Sequence, residues 1–307
     1  MVKVLITSVG KRVRLVENFL EVAEVYGCDA NPKLSPAAYF VKECFEVPYI
    51  NTQEYIPTLL EIVKKNNIDI IVPTIDTELT LLAKNKELFE KLGAKVMVSS
   101  VRVCEIFYLK TSTEEFFSSR GFQTPKIINN LEEASFPLFA KLDNSSLSVG
   151  AMKVNNFSEA KKLQQANKNY IFQEFIEGDE FTVDCFVAQN KESISIVPRR
   201  RLEIRAGEVS KARTSKNQHI INEVKKLLQS IDGFYGAITV QLFYTKEKNI
   251  YFIEVNPRFG GGYPLSWLSG ANFAQYVVDD FLGKKLHYMQ DWQDGKTMLR
   301  YDAEVVF

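Results

Sequence analysis

Histidine is almost missing from this 307-residue chain, with only His219 and His287 present, and the four cysteines, Cys28, Cys44, Cys104 and Cys185, stand far apart with no Cys-x-x-Cys pair. Such spacing argues against a zinc centre and against a disulfide framework, and points to four core thiols, with a catalytic thiol as the rarer alternative. Net charge is missing too, since 38 basic residues balance 38 acidic ones. No bulk attraction to nucleic acid or to a membrane surface follows, and neither is expected as a partner. The apolar run Met1–Thr7 is too short for a signal peptide and lacks a small-residue cleavage site, so a cytoplasmic location is expected. Internal repeats, low-complexity tracts and heptads are absent. Neither Gly-x-Gly-x-x-Gly nor a Walker loop occurs, which weakens a dinucleotide-dependent oxidoreductase or a P-loop enzyme.

What remains is an ordinary globular composition, 46% apolar and 25% charged, on a chain long enough for two or three compact units. Residues 1–105 alternate short apolar runs with helical periodicity. Strands are predicted at Val2–Thr7, Val25–Cys28, Val47–Tyr49, Ile68–Pro73 and Lys95–Val98, and helices from Val13, over Tyr55–Asn66 and over Glu78–Leu92. A doubly wound α/β sheet with helices on both faces is the economical fold. From about Thr111 the pattern changes to a mixed α+β module, with strands at Phe136–Lys141, Ala151–Val154, Tyr170–Ile176 and Phe181–Ala188 around a helix at Ser158–Asn167. A basic stretch then leads to a helix at Gln218–Asp232 and a strand pair, Ala237–Tyr244 and Ile250–Asn256.

That strand pair carries the strongest chemical signal. A hairpin through Thr245–Asn249 brings Gln241 beside Glu254, and Glu254 and Asn256 share one face while Ile253 and Val255 turn into the apolar layer. Three hard oxygen ligands followed by Arg258 suit magnesium and a phosphate, though a hairpin with a polar outer face would carry the same residues. Lys141 ends an apolar strand before a loop holding Ser145, Ser146, Ser148 and Gly150, which can lay hydroxyls and amides over phosphates; a solvated turn is the alternative. The segment Gln173-Glu174-Phe175-Ile176, with Glu180 beyond a turn, offers an apolar slot, edge hydrogen bonds and a carboxylate suited to adenine and ribose. Arg199 and Arg201 share one strand face, and with Lys211 and Arg213 in a flexible stretch they form a candidate anion clamp or a surface charge cluster. The loop Ser8–Arg12 follows the first strand as a weak anion-binding candidate, with ordinary turn geometry explaining Gly10 at least as well, and Asp76 reads as a helix cap before it reads as a ligand-binding residue.

Taken in order, Lys110, Lys141 with Ser145–Gly150, Gln173-Glu174-Phe175-Ile176 with Glu180, and Gln241 with Glu254-Val-Asn256-Pro-Arg258 resemble the ATP-grasp superfamily. Within it the chain looks most like the branch holding the carbamoyl phosphate synthetase large subunit and carboxylate–amine ligases such as the pyrrolysine-pathway ligase. The resemblance implies a pre-ATP-grasp domain over 1–105, a small ATP-grasp lobe with the phosphate loop over 106–178 and a C-terminal lobe with the magnesium site over 179–307. It implies that Lys110 and Lys141 meet ATP and that Ser145–Gly150 cover its phosphates. Glu174, Phe175 and Ile176 would border the adenine, and Glu180 would hold the ribose. Gln241, Glu254 and Asn256 match the magnesium ligands, with two ions expected and manganese as a substitute, and Arg258, with Lys141, matches the catalytic cations. Two departures stand out: the chain has room for one ATP-grasp unit where the large subunit has two, and the loop after Lys141 is poor in glycine.

The expected activity is an ADP-forming carboxylate–amine ligase working through an acylphosphate on small-molecule acids and amines. A carboxylate kinase without amine transfer, or a nucleotide-binding subunit of a split system, uses the same residues. A homo-oligomer or a partner subunit is compatible with either. The substrate is expected between the N-terminal unit and the ATP site, near Asp76, Glu78, Arg201, Arg213 and the Gly260-Gly261-Gly262-Tyr263 loop.

Overall fold

The computed structural model describes residues 1–143, 150–205 and 207–307. Its first sheet is wholly parallel, in the order β3-β2-β1-β4-β5, from β1 (Lys3–Thr7), β2 (Glu24–Asp29), β3 (Cys44–Glu46), β4 (Ile70–Val72) and β5 (Lys95–Val96). Period-2 alternation along β1 feeds two cores: Val4 and Ile6 pack on one face against Leu15, Val16 and Phe19 of helix α1 (Val13–Leu20). Leu5, on the other face, joins Leu59 and Val63 of α2 (Tyr55–Asn66) and Leu79 and Leu82 of α3 (Asp76–Glu90). The third strand lies earlier than the predicted Val47–Tyr49: Cys44–Glu46 stand in register with Gly27–Asp29, Val47 adds its amide to the Asp29 carbonyl, and Tyr49 is exposed. Cys28, Cys104 and Cys185 are buried as expected, whereas Cys44 is half-buried.

Helices α4 (Val101–Ile106) and α5 (Lys110–Ser119) lead to a three-stranded antiparallel sheet, β7-β6-β8, made from β6 (Leu138–Leu142), β7 (Met152–Val154) and β8 (Tyr170–Glu174), with α6 (Phe157–Ala166) packed on it. Leu138, Ala140, Val154, Ala160 and Phe172 give this small sheet a core of its own. The largest sheet, of six strands, runs β13-β12-β9-β10-β11-β14. Its strands are β9 (Asp179–Val187), β10 (Ser193–Arg205), β11 (Glu208–Thr214), β12 (Gly236–Tyr244), β13 (Ile250–Asn256) and β14 (Thr297–Leu299), joined by α7 (Gln218–Gln229), α8 (Pro264–Leu268) and α9 (Phe273–Phe281). The stretch around Lys211 and Arg213, expected to be flexible, is the strand β11, laddered on both sides by β10 and β14, with shifts of register against β10 on either side of Glu203.

One face of the large sheet is apolar. Phe181, Val183, Cys185, Val240, Leu242, Phe252 and Val255 share a core with α7, α9 and the α1 side of the first sheet. An aromatic chain from Phe19 through Phe259 and Tyr263 to Phe273 crosses this junction at centroid separations of 5.7, 4.9 and 5.0 Å. Asn18 reinforces it, donating to Asn272 Oδ1 and accepting from the Tyr263 hydroxyl, both at 2.8 Å. The loop that follows Asn256 is therefore fastened to the N-terminal unit. Among the described residues no helix is long and apolar enough to cross a membrane.

Candidate active site

The opposite face of the large sheet is polar because its strands alternate. Along β9 the residues Glu180, Thr182 and Asp184 face one way while Phe181, Val183 and Cys185 face the core. Cross-strand register sets Gln241 against Thr182 on one side and against Glu254 on the other. Gln241 donates from Nε2 to Glu254 Oε2 at 3.3 Å, and its Oε1 accepts from Arg201 at 3.4 Å. Arg201 also binds Glu180 and the Gly207 carbonyl, so one hydrogen-bonded row, Glu180–Arg201–Gln241–Glu254, crosses four strands. Burial raises the Glu180 carboxyl above its usual range, opposed by Arg201 and assisted by Glu254.

A bulge changes the expected alternation of β13. Gln241 opposes Glu254 but Leu242 opposes Phe252, which leaves Ile253 as the extra residue. Phe252 and Val255 therefore enter the core, and Ile253, expected there with Val255, stays half-exposed instead. Beyond the bulge the chain turns at Asn256 and Pro257. Arg258 donates to Asn256 Oδ1 at 3.2 Å, to the Phe259 carbonyl at 3.1 Å and to Asp76 Oδ2 at 2.7 Å. Thr239 fixes the same turn by donating to the Arg258 carbonyl at 3.0 Å.

The small sheet supplies Lys141 from β6. Burial, first, and the like charge of Lys110 lower its ammonium to about 8, against an opposite pull from Glu254 and Asp143. The buried Lys141 thus lies within electrostatic reach of Glu254, the carboxylate that ends the polar row. Lys110 begins α5 and donates from Nζ to the Asp143 carbonyl at 3.1 Å; Asp143 in turn accepts from the Thr111 amide and hydroxyl at 2.9 and 3.0 Å. Glu174 accepts from the Lys126 amide at 3.2 Å, Gln173 donates to the Pro125 carbonyl at 3.0 Å, and Ile176 is half-buried. Phe175 is exposed, with the Lys153 ammonium 4.4 Å from its ring centroid. Gly150 is described with φ near +72°, while Ser145, Ser146 and Ser148 lie outside the described residues.

Two residues expected near the substrate are engaged within the protein itself. Glu78 is fully buried, accepting from the Tyr55 hydroxyl at 2.8 Å and from the amides of Thr74 and Ile75 at 3.0 and 3.3 Å. It caps the start of α3 from the third helical position, and burial raises its carboxyl. Arg213 pairs with Arg200 across β10 and β11, on the other face from Arg201, and donates from Nε to Thr297 at the sheet edge. The loop Ser8–Arg12 offers no free cradle at Gly10, whose amide donates to Asp29 Oδ2 at 3.0 Å.

Two features were missed in the sequence. Asp184 forms a buried two-point ion pair with Arg199, at 2.7 and 2.9 Å, and accepts from Ser266 as well. The alternation Glu180-x-Thr182-x-Asp184 was the available signal. Arg12 donates to the carbonyls of Thr74 at 2.7 Å and Phe259 at 3.5 Å, across separations no local pattern reveals. Glycine is required at 262, where a Cβ would come within 2.3 Å of an Arg199 nitrogen.

Among the described residues no cluster of three or more His, Cys, Asp or Glu could hold a metal by itself. The donor set nonetheless fits magnesium, which needs few protein oxygens when phosphates and water complete its shell. Glu254, Gln241 and Asn256 present one carboxylate and two amide oxygens on a single face beside Lys141.

Residues 4–97 match the family model of the PylC-like N-terminal domain, and residues 109–262, half of the chain, match that of the ATP-grasp domain. The chain belongs to the ATP-grasp family. It is an N-terminal α/β unit followed by a two-lobed ATP-grasp fold. It is 26% identical over 183 residues to the D-alanine–D-alanine ligase of Fusobacterium nucleatum, 56% of this chain and 64% of that enzyme. With the tyramine–L-glutamate ligase of Methanocaldococcus fervens it shares 33% identity over 100 residues, 32% of this chain and 33% of that one. The chain thus spans less than two thirds of either relative. Among solved structures, N5-carboxyaminoimidazole synthetase from Staphylococcus aureus, complexed with ADP, superposes at a TM-score of 0.75 with 16% identity, over 97% of this chain and 80% of that one. The L-amino acid ligase of Bacillus licheniformis does so at 0.70 with 19% identity, over 92% and 74%.

Proposed function

We propose that the chain is an ATP-dependent ligase that joins a carboxylate to an amine through an acylphosphate and releases ADP and phosphate. The observation that carries this reading is the row Glu180–Arg201–Gln241–Glu254, continued by Asn256 and Arg258 and faced by Lys141. The ligase names of the relatives support the same class. In this proposal residues 1–105 form the leading domain, 106–178 the small lobe and 179–307 the large lobe, and ATP lies between the small sheet and the polar face of the large one.

Glu174, Phe175 and Ile176 then border the adenine, and Glu180 shares its carboxylate between Arg201 and a ribose hydroxyl. Lys110, Lys141 and Gly150, with Ser145, Ser146 and Ser148, take the phosphates. Glu254, Gln241 and Asn256 would hold magnesium, which when bound neutralises charge between the β- and γ-phosphates. Lys141 and Arg258 stabilise charge on the phosphoryl group as a carboxylate oxygen attacks phosphorus and ADP departs. The amine then attacks the acyl carbon, phosphate leaves, and the new amide nitrogen gives up its proton. Positioning and electrostatics do the work, with no covalent enzyme intermediate.

The test is ADP, AMP and phosphate release from Mg-ATP against crossed pools of carboxylates and amines, with Glu254→Gln as control. ADP that appears only with both pools supports the ligase. A stable phosphorylated acid without need of an amine makes the chain a kinase, and Mg-ATP binding without turnover points to a missing partner subunit. No nucleotide binding at all overturns the proposal.

A further inference from the structure

We infer that Asp76 is a positioning residue for Arg258, so that the N-terminal unit orients the guanidinium that serves phosphoryl transfer in the ligase proposed above, on which this inference rests. The two residues are 182 positions apart in sequence and 2.7 Å apart in space. Asp76 is the first residue of α3, where a carboxylate would ordinarily be read as a cap. Here the capping is done by Glu78, which takes the amides of Thr74 and Ile75, and Asp76 accepts instead from Arg258.

Asp76 is well anchored for this task. Arg12 holds the carbonyl of Thr74, and Glu78, itself hydrogen-bonded to Tyr55, holds the adjacent amides, so the segment that leads into Asp76 is clamped from both sides. Arg258 needs the help. Its Nε is buried without a partner, and among the described residues Asp76 supplies its salt bridge, the other contacts being the carbonyl of Phe259 and the amide oxygen of Asn256. Arg12 lies close enough that Arg258 adds to the burial that lowers the Arg12 guanidinium to about 10. Two neighbouring guanidinium groups repel, and the carboxylate of Asp76 offsets that repulsion on the Arg258 side. Without Asp76 the Arg258 side chain keeps its backbone anchor and loses its orientation, and a misplacement of about 1 Å costs on the order of a hundredfold in such a site.

The experiment compares Asp76→Asn, Asp76→Glu, Arg258→Ala and the double variant Asp76→Asn/Arg258→Ala by two readouts. The first is the arginine Nε–H signal in 15N–1H correlation spectra, assigned to Arg258 by its loss in Arg258→Lys. It should shift and exchange faster with water in Asp76→Asn; an unchanged signal overturns the inference. The second is Mg-ATP affinity. Asp76→Asn should weaken binding about tenfold and Asp76→Glu less than about threefold, with no further loss when Asp76→Asn is added to Arg258→Ala. Equal Mg-ATP affinity in parent and Asp76→Asn, or a full additional loss in the double variant, overturns it. A parent protein that fails to bind Mg-ATP overturns the ligase proposal and with it the catalytic purpose given to the contact, while the Nε–H signal still decides whether Asp76 orients Arg258.

Discussion

Arg199 and Arg201 sit two residues apart on the same face of β10, each paired with a carboxylate from β9, yet their settings differ. The Arg199–Asp184 pair is sealed, with side-chain exposures of 1% and 2%, and is joined by Ser266 and covered by Gly262. Arg201–Glu180 is more open, at 9% and 21%, and opens onto Gln241 and Glu254. A dry pair held by two hydrogen bonds fixes structure even though Arg199 Nη1 is buried without a partner, whereas a partly wet pair within a connected row remains able to exchange a protein partner for a ligand. Arg200, between them, points the other way to a half-exposed pair with Asp179 at 2.6 Å. Three consecutive arginines thus occupy three environments.

Removing one member of the sealed pair gives the largest expected loss of stability. Asp184→Ala strands the Arg199 charge and should cost about 3–5 kcal/mol, read from urea unfolding midpoints; a loss below about 1 kcal/mol would make the sealed pair no different from a surface one. In the open row the effect should fall on activity instead. Glu254→Gln or Arg258→Ala should lower substrate-dependent ADP release by roughly 10²–10³ while the far-ultraviolet circular dichroism stays that of the parent; near-normal turnover in either variant would remove these residues from the mechanism.

Acidity offers a third test. Because the folded Lys141 loses its proton near 8 and the unfolded one near 10.5, the folded state binds fewer protons between these values, and this group's contribution to stability rises with pH across that window. Phosphate binding should run the other way, since it needs the ammonium. Mg-ATP affinity should fall above pH 8 by up to about tenfold per pH unit, and Lys141→Arg, which keeps its charge, should flatten the profile. A pH-independent affinity in the parent would separate Lys141 from the phosphates. Arg200→Ala gives the smallest effect, at most about 1 kcal/mol of stability, and a larger cost would show that exposure alone does not divide the three arginines.

Much of the fold was legible because its signals are local. The helix Tyr55–Asn66 follows its apolar period to the residue, and the turn at Thr245–Asn249 joins β12 to β13, although the bulge at Ile253 is what completes the Gln241–Glu254 register. Where local signals mislead, a tertiary cause can be named. The bulge at Ile253 depends on how β12 and β13 pair, and the third strand falls on Cys44–Glu46 rather than on Val47–Tyr49 because those residues stand in register with Gly27–Asp29. Glu78 looked like a site residue because charge in a loop after a strand suggests function; only its burial beneath Tyr55 shows it capping α3. Arg213 was grouped with Arg201 by sequence proximity, and strand register separates them.

The sequence by itself determined the layers, the polar alternation of β9 and the order of ligand-bearing residues along the chain, because strand and helix periods and turn chemistry are set over a few residues. The tertiary structure alone decided which charges meet. Arg258 finds Asp76, Arg12 bridges Thr74 and Phe259, and Arg199 disappears against Asp184 and Gly262, because packing the first sheet against the loop after β13 joins residues that share no local pattern.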